Sequence, residues 1–139
     1  MTRIGIIVGS TRPNRLSTTV AARVADAFAT TGDLDIIDLA EVNLPFYDEP
    51  LPAAAGQPAH EHTKAWAARI EALDAVVLVT PEYNASIPAV LKNAIDFLYS
   101  PWHDLPMGIV GYGWYAGSRV MTALEPVLAN VKARTVGTV

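Results

Sequence analysis

RIGIIVGSTRPNRLS, residues 3–17, joins an apolar run to the start of a helical pattern. Arg3–Val8 reads as a strand, with Ile4 to Val8 buried on both sides. From Leu16 onward, Val20, Val24 and Phe28 recur on one face, and the helical pattern runs to Thr31 with Gly32 as its breaker. A strand passing through a short loop into a helix is the first unit of an α/β sheet. The loop, Gly9 to Ser17, is rich in small hydroxyl residues and arginine. A helix start offers unpaired N–H groups and partial positive charge, which suit a phosphate. The candidates for holding it are Ser10, Thr11, Arg12, Arg15, Leu16 and Ser17; the hydroxyls donate single bonds and an arginine donates a planar fork. The Walker glycines and lysine are missing, so a nucleoside triphosphate does not suit the loop. The competing reading is helix capping by Ser10 or Ser17 beside a surface arginine.

Working outward, the same alternation repeats. A short strand is expected near Leu34–Asp38, then a proline-rich loop over residues 39–60, then a helix with Trp66, Ile70 and Leu73 on one side. Ala75–Thr80 is a second fully apolar strand, followed by a helix from Pro88 with Leu91, Ile95 and Leu98. Met107–Gly111 and Thr135–Val139 read as the last two strands. Between them a helix spans Gly117–Val131, with Pro126 expected to kink or break it. Strands alternating with helices predict one doubly wound parallel sheet in a single domain over residues 1–139. A last strand with no helix after it leaves part of one sheet face uncovered. The expectation is a chain shortened from a longer sequence, in preference to a face covered by a partner.

Ligands of such sheets bind at the carboxyl ends of the strands, near the switch point in strand order. That rule brings three loops together: 9–17, 80–87 and 111–117. The second loop, with Pro81, Glu82, Tyr83, Asn84 and Ser86, offers an aromatic face, an amide and a hydroxyl on a proline-stiffened backbone. Its plainer reading is a rigid turn with Ser86 as a cap and Glu82 in solvent. The third loop, Gly111 to Ser118, combines glycines for close approach with flat aromatic surface, and Gly113, Trp114 and Gly117 are its candidates. Its glycine spacing is one residue too long for a dinucleotide fingerprint, and it does not follow the first strand.

Composition narrows the function classes. Of 139 residues, 51% are hydrophobic and 17% charged, which supports a sizeable core and argues against disorder. The net charge of −4 and the lack of a basic block argue against nucleic-acid and anionic-membrane partners. With no cysteine there is no disulfide, thiolate metal site or thiol nucleophile. No stretch is long enough to span a bilayer, and the default compartment is the cytoplasm. His60 and His62 read as solvated loop histidines, so no metal site is assigned. Asp48 and Glu49 read as a solvated loop edge, His103 as a packing residue, and Lys92 with Asp96 as a surface pair. No serine-hydrolase elbow is present.

Gly9-Ser10-Thr11-Arg12, together with the segment from Pro81-Glu82-Tyr83-Asn84-Ala85-Ser86-Ile87-Pro88 to Asp96, resembles the NADPH-dependent FMN reductase family of flavodoxin-like proteins. Leu44-Pro45-Phe46-Tyr47-Asp48 is similar to that family's acidic loop. The resemblance implies a five-stranded parallel sheet of order 2-1-3-4-5, here without the family's last helix. It also implies bound FMN, NADPH or NADH as reductant, a small-molecule electron acceptor such as a flavin or quinone, ping-pong hydride transfer and a homodimer or homotetramer. By motif, Ser10, Arg12 and Ser17 would hold the phosphate. Pro81, Glu82, Tyr83 and Asn84 would line the flavin ring with Ser86 nearby, and Gly113, Trp114 and Gly117 would border its other edge. Arg15 stands where a serine is common, as a second phosphate partner or facing solvent. Ala85 replaces a commoner glycine, and Trp114 replaces a small residue and is placed to cover the ring. Two alternatives stand beside the reductase: an FMN-binding electron carrier without nicotinamide turnover, and a flavin-free interaction domain.

Overall fold

Strand β1 (Arg3–Val8) is buried on both sides because its alternate residues enter two different cores: Ile4, Ile6 and Val8 on one face, Ile7 on the other. A computed structural model describes all of residues 1–139. Beside β1 lie β2 (Asp33–Asp38) and β3 (Ala75–Pro81), then β4 (Pro106–Tyr112) and β5 (Arg134–Thr138). The sheet is parallel throughout in the order β2-β1-β3-β4-β5, with Ile4 opposite both Leu34 and Ala75. This is the order the family resemblance implies.

Helix α1 (Ser17–Phe28) alone covers one face, packing Val20, Ala21, Val24 and Phe28 on Ile4, Ile6, Val8, Val77 and Val79. Helices α3 (Glu61–Glu71), α4 (Ala89–Asp96) and α5 (Ser118–Asn130) cover the opposite face and enclose the larger core. Trp66 and Trp102 meet edge to face there at 6.2 Å, and their indole N–H groups donate to the Ala94 and Ile95 carbonyls at 2.9 and 3.0 Å. These two bonds satisfy polar atoms that burial would otherwise make costly. Every residue of β5 is exposed.

Edge strand β2 is guarded by charge. The Arg69 guanidinium forks onto Asp35 at 2.7 and 3.0 Å, and this bonding holds the Asp35 carboxyl below its ordinary range against the opposing effect of burial.

Three details differ from the sequence reading. Helix α1 stops at Phe28 rather than Thr31, and Gly32 serves close packing instead of capping. Its missing side chain lets the backbone lie against the Thr2 carbonyl, which accepts from Asp33 N–H at 2.9 Å. The segment 39–60 is not all loop: α2 (Leu39–Val42) begins on the Asp38 carboxylate, which accepts from Ala40 N–H, and a 3-10 turn covers Ala53–Ala55. A four-residue helix is too short to show periodicity. Helix α5 runs on through Pro126 without a break.

Candidate functional site

The carboxyl ends of β1, β3 and β4 are adjacent in the sheet, so the three loops meet as expected. Gly9 makes the first turn possible. Its N–H donates to the Val79 carbonyl at 2.8 Å, and a side chain there would strike that same oxygen.

Beyond it, a turn closes from Arg15 N–H to the Arg12 carbonyl, with Asn14 left-handed. Helix α1 then starts without any side-chain cap, so the capping alternative for Ser10 and Ser17 fails. Thr11 and Arg12 are exposed, and the Arg12 guanidinium makes no ion pair. Leu16 is also exposed, at 57%. Arg15 does not face solvent. It pairs with Asp38 at the end of β2, which turns most of its side chain inward. Ser17 is fully buried.

Ser10 ties the first loop to the second. Its buried hydroxyl lies 2.6 Å from the Tyr83 phenol and accepts from Arg12 N–H at 3.3 Å. Tyr83 and Ser86 exchange two backbone bonds of 3.0 Å across Asn84 and Ala85, both at positive φ (50° and 64°). That is a type I′ turn, for which asparagine followed by glycine is the best sequence. Ala85 carries a left-handed penalty of about 1–2 kcal/mol. Ala85→Gly is therefore expected to stabilise the protein by about 0.5–1 kcal/mol after the entropic cost of glycine. The urea midpoint checks it; a lower midpoint would show that the alanine methyl contributes packing here.

Glu82 does not stand free in solvent. Its Oε1 accepts from Tyr115 and Gly117 N–H at 3.2 Å each, and its Oε2 accepts from Arg119 N–H at 2.9 Å. The carboxylate thus fixes the third loop and caps α5, a favourable place for negative charge. Gly113 (φ 152°) packs directly on this side chain, and Gly117 (φ 74°) is the residue before α5. Trp114 is fully exposed at the rim of the third loop. Pro81 ends β3 and is buried, pairing with Tyr112 across the sheet.

Sequence reasoning passed over three contributors. Tyr112, at the end of β4, has a phenol pushed above its ordinary range by burial, with the Ser17 hydroxyl and the charges of Arg12 and Arg15 opposing. Asn93 lies inside the recognised motif and clamps the acidic loop, donating to the Pro45 carbonyl at 2.7 Å and accepting from Tyr47 N–H at 3.1 Å. Asp38 holds Arg15 in place. A polar residue among apolar ones in the α4 pattern was the only advance signal for any of them.

Ser17 Oγ, Arg15 Nε and Tyr112 OH are buried and complete no hydrogen bond in the protein, the Ser17 and Tyr112 hydroxyls lying near each other. Unpaired buried groups cost roughly 1–3 kcal/mol each. Three of them where α1 begins, beside the unpaired Arg12 and the uncapped N–H groups, form a donor-rich pocket that a phosphate fits.

The sequence profile of the NADPH-dependent FMN reductases matches residues 2–139. The chain belongs to that family. It is an FMN-dependent NAD(P)H oxidoreductase, with a flavodoxin-like fold. The NAD(P)H-dependent FMN reductase LOT6 of Saccharomyces cerevisiae is 37% identical over 148 residues, covering 97% of this chain and 78% of the relative. A quinone reductase of Pseudomonas putida is 34% identical over 112 residues, 77% of this chain and 58% of the relative. Among solved structures, the NAD(P)H:(acceptor) oxidoreductase FerB of Paracoccus denitrificans superposes with a TM-score of 0.77 at 28% identity, covering 99% of this chain and 75% of that one. No helix is long and apolar enough to cross a membrane.

Proposed function

We propose that this reductase holds the FMN phosphate at the start of α1 and passes electrons to a quinone or a similar small acceptor. The cluster of unpartnered buried polar atoms at Ser17, Arg15 and Tyr112 carries the phosphate assignment. Arg12 adds a free guanidinium, while Ser10 and Thr11 supply hydroxyls beside it. Arg15 acts mainly through its pairing with Asp38, which leaves Nε on the phosphate side. Leu16 contributes its backbone at the helix start.

Bound FMN supplies hydride acceptance from NAD(P)H and hydride delivery to the acceptor. The protein binds and orients. Tyr83, held by Ser10, and the rigid turn through Asn84 and Ser86 form one wall for the ring. Pro81 sets the direction of that wall. Gly113 and Gly117, held by Glu82, form the other. With Trp114 standing clear in solvent, reductant and acceptor can use one opening in turn, a ping-pong order. The P. putida relative supports a quinone as acceptor. Phe46, Leu51 and Trp114 present apolar surface to solvent, which supports a homodimer or homotetramer. A cytoplasmic enzyme with small-molecule partners is the reading that fits these features.

FMN titration of Arg12→Ala tests the phosphate assignment. A charged hydrogen bond is worth about 1.5–3 kcal/mol, so affinity should fall about tenfold or more. Unchanged affinity would move the phosphate elsewhere. Rapid two-electron bleaching by NADPH, followed by reoxidation with a benzoquinone, is the expected behaviour of the wild-type protein. Bleaching without reoxidation by quinone would remove quinones as the acceptor class.

A further inference from the structure

The proline-rich loop folds back so that Asp48, Glu49, His60 and His62 gather at the start of α3. His62 Nε2 lies 2.9 Å from Asp48 Oδ1, and His60 Nε2 lies 4.0 Å from Asp48 Oδ2. One ligand atom each from Asp48, Glu49 and His62 lie within 4.8 Å of one another. The two imidazoles stack at 5.1 Å, and His62 also packs edge-on against Phe97. His60, His62 and Asp48 stay 36–43% exposed, as the sequence suggests, but they lie against one another instead of standing apart in solvent.

We propose that Asp48, Glu49 and His62 bind a divalent transition metal of the zinc class, with His60 stacked on His62 and held by the Asp48 carbonyl at 3.2 Å. Imidazole nitrogen with carboxylate oxygen is a donor set that zinc accepts, and the charge of two carboxylates is one that a dication balances. Ligand atoms about 2.0–2.2 Å from a tetrahedral ion lie about 3.3–3.6 Å apart. The ion therefore replaces the proton shared by His62 and Asp48 after a small opening of that pair. The outer support is already present. Glu49 accepts from Ala59 and His60 N–H at 2.7 and 3.0 Å, which fixes its carboxylate. Thr63, only 2% exposed, turns a hydroxyl with no completed hydrogen bond toward the same carboxylate. The ion would staple the 44–60 loop to α3. None of these residues belongs to the three loops of the flavin site, so the two assignments stand or fall separately.

The test uses tag-free, FMN-loaded protein, freed of metal by a chelator and titrated with zinc chloride against a chromophoric competitor. One ion per chain and a raised melting temperature are expected. His62→Ala and Asp48→Asn should each weaken binding about tenfold or more while keeping the flavin spectrum. Should either variant fail to fold, Glu49→Gln gives the same readout. No saturable uptake, or equal uptake by wild type and variants, would overturn the site.

Discussion

Glu82→Ala is expected to lower the melting temperature by about 10 °C and to weaken FMN binding about tenfold or more. The carboxylate receives three backbone N–H groups, from Tyr115, Gly117 and Arg119, all more than thirty residues away in sequence. Hydrogen bonds to a charged group are worth about 1.5–3 kcal/mol, and three sharing one carboxylate add less than their sum. A loss of about 3 kcal/mol is a reasonable total, and a domain of this size loses a few degrees per kcal/mol. The effect on flavin follows from position. Without the carboxylate, the loop from Gly113 to Gly117 is held by local contacts: the turn bonds Ala116 to Gly113 and Ser118 to Tyr115, Met121 N–H to the Gly117 carbonyl and Arg119 over the Tyr115 ring. Glu82→Gln separates charge from shape. Its single amide oxygen can keep the Tyr115 and Gly117 bonds, but its NH2 then meets the Arg119 N–H donor, so about half the loss should remain. Calorimetry and FMN titration of both variants check this. A Glu82→Ala protein that melts like wild type would mean the third loop is fixed by something else.

This same residue shows where sequence reasoning stops. The central strands β1, β3 and β4 are legible because each is an apolar run with its own boundaries, and the meeting of three loops follows from the topology of a parallel sheet. Lys92 with Asp96 was legible because both lie on one helix, and their ends do meet at 2.8 Å. The partners of Glu82 were not, because a carboxylate bonding to backbone N–H groups leaves no mark on the partner's side chain. Arg15 with Asp38, Asn93 with Pro45, and Asp48 with His62 are likewise side-chain contacts between elements far apart in sequence. The chemistry of each residue was visible, but its distance to the other was not. The motif around Tyr83 and Asn84 was recognised as a ligand wall, yet its form as a two-residue turn with both central residues left-handed was hidden by Ala85, where glycine would have announced it.

Gly117→Ala should destabilise the protein by more than about 3 kcal/mol. Two costs combine. At φ 74° any side chain pays about 1–2 kcal/mol for the left-handed backbone. The new Cβ would also overlap the Gly111 carbonyl carbon and lie 2.6 Å from its oxygen and 2.7 Å from its Cα. These are backbone atoms of β4, paired with Thr80 across the sheet, so they cannot swing aside as the end of a side chain would. The start of α5 must move instead, which breaks the Gly117 bond to Glu82 and opens the wall of the site. Gly56→Ala isolates the first cost. Gly56 has a similar φ of 63° with nothing within 4 Å of an added Cβ, so it should lose only about 1 kcal/mol. The difference between the two variants in urea unfolding measures the clash alone. Equal losses would show that β4 and α5 can separate freely at this point, and the close approach of Gly111 and Gly117 would then have no part in shaping the site.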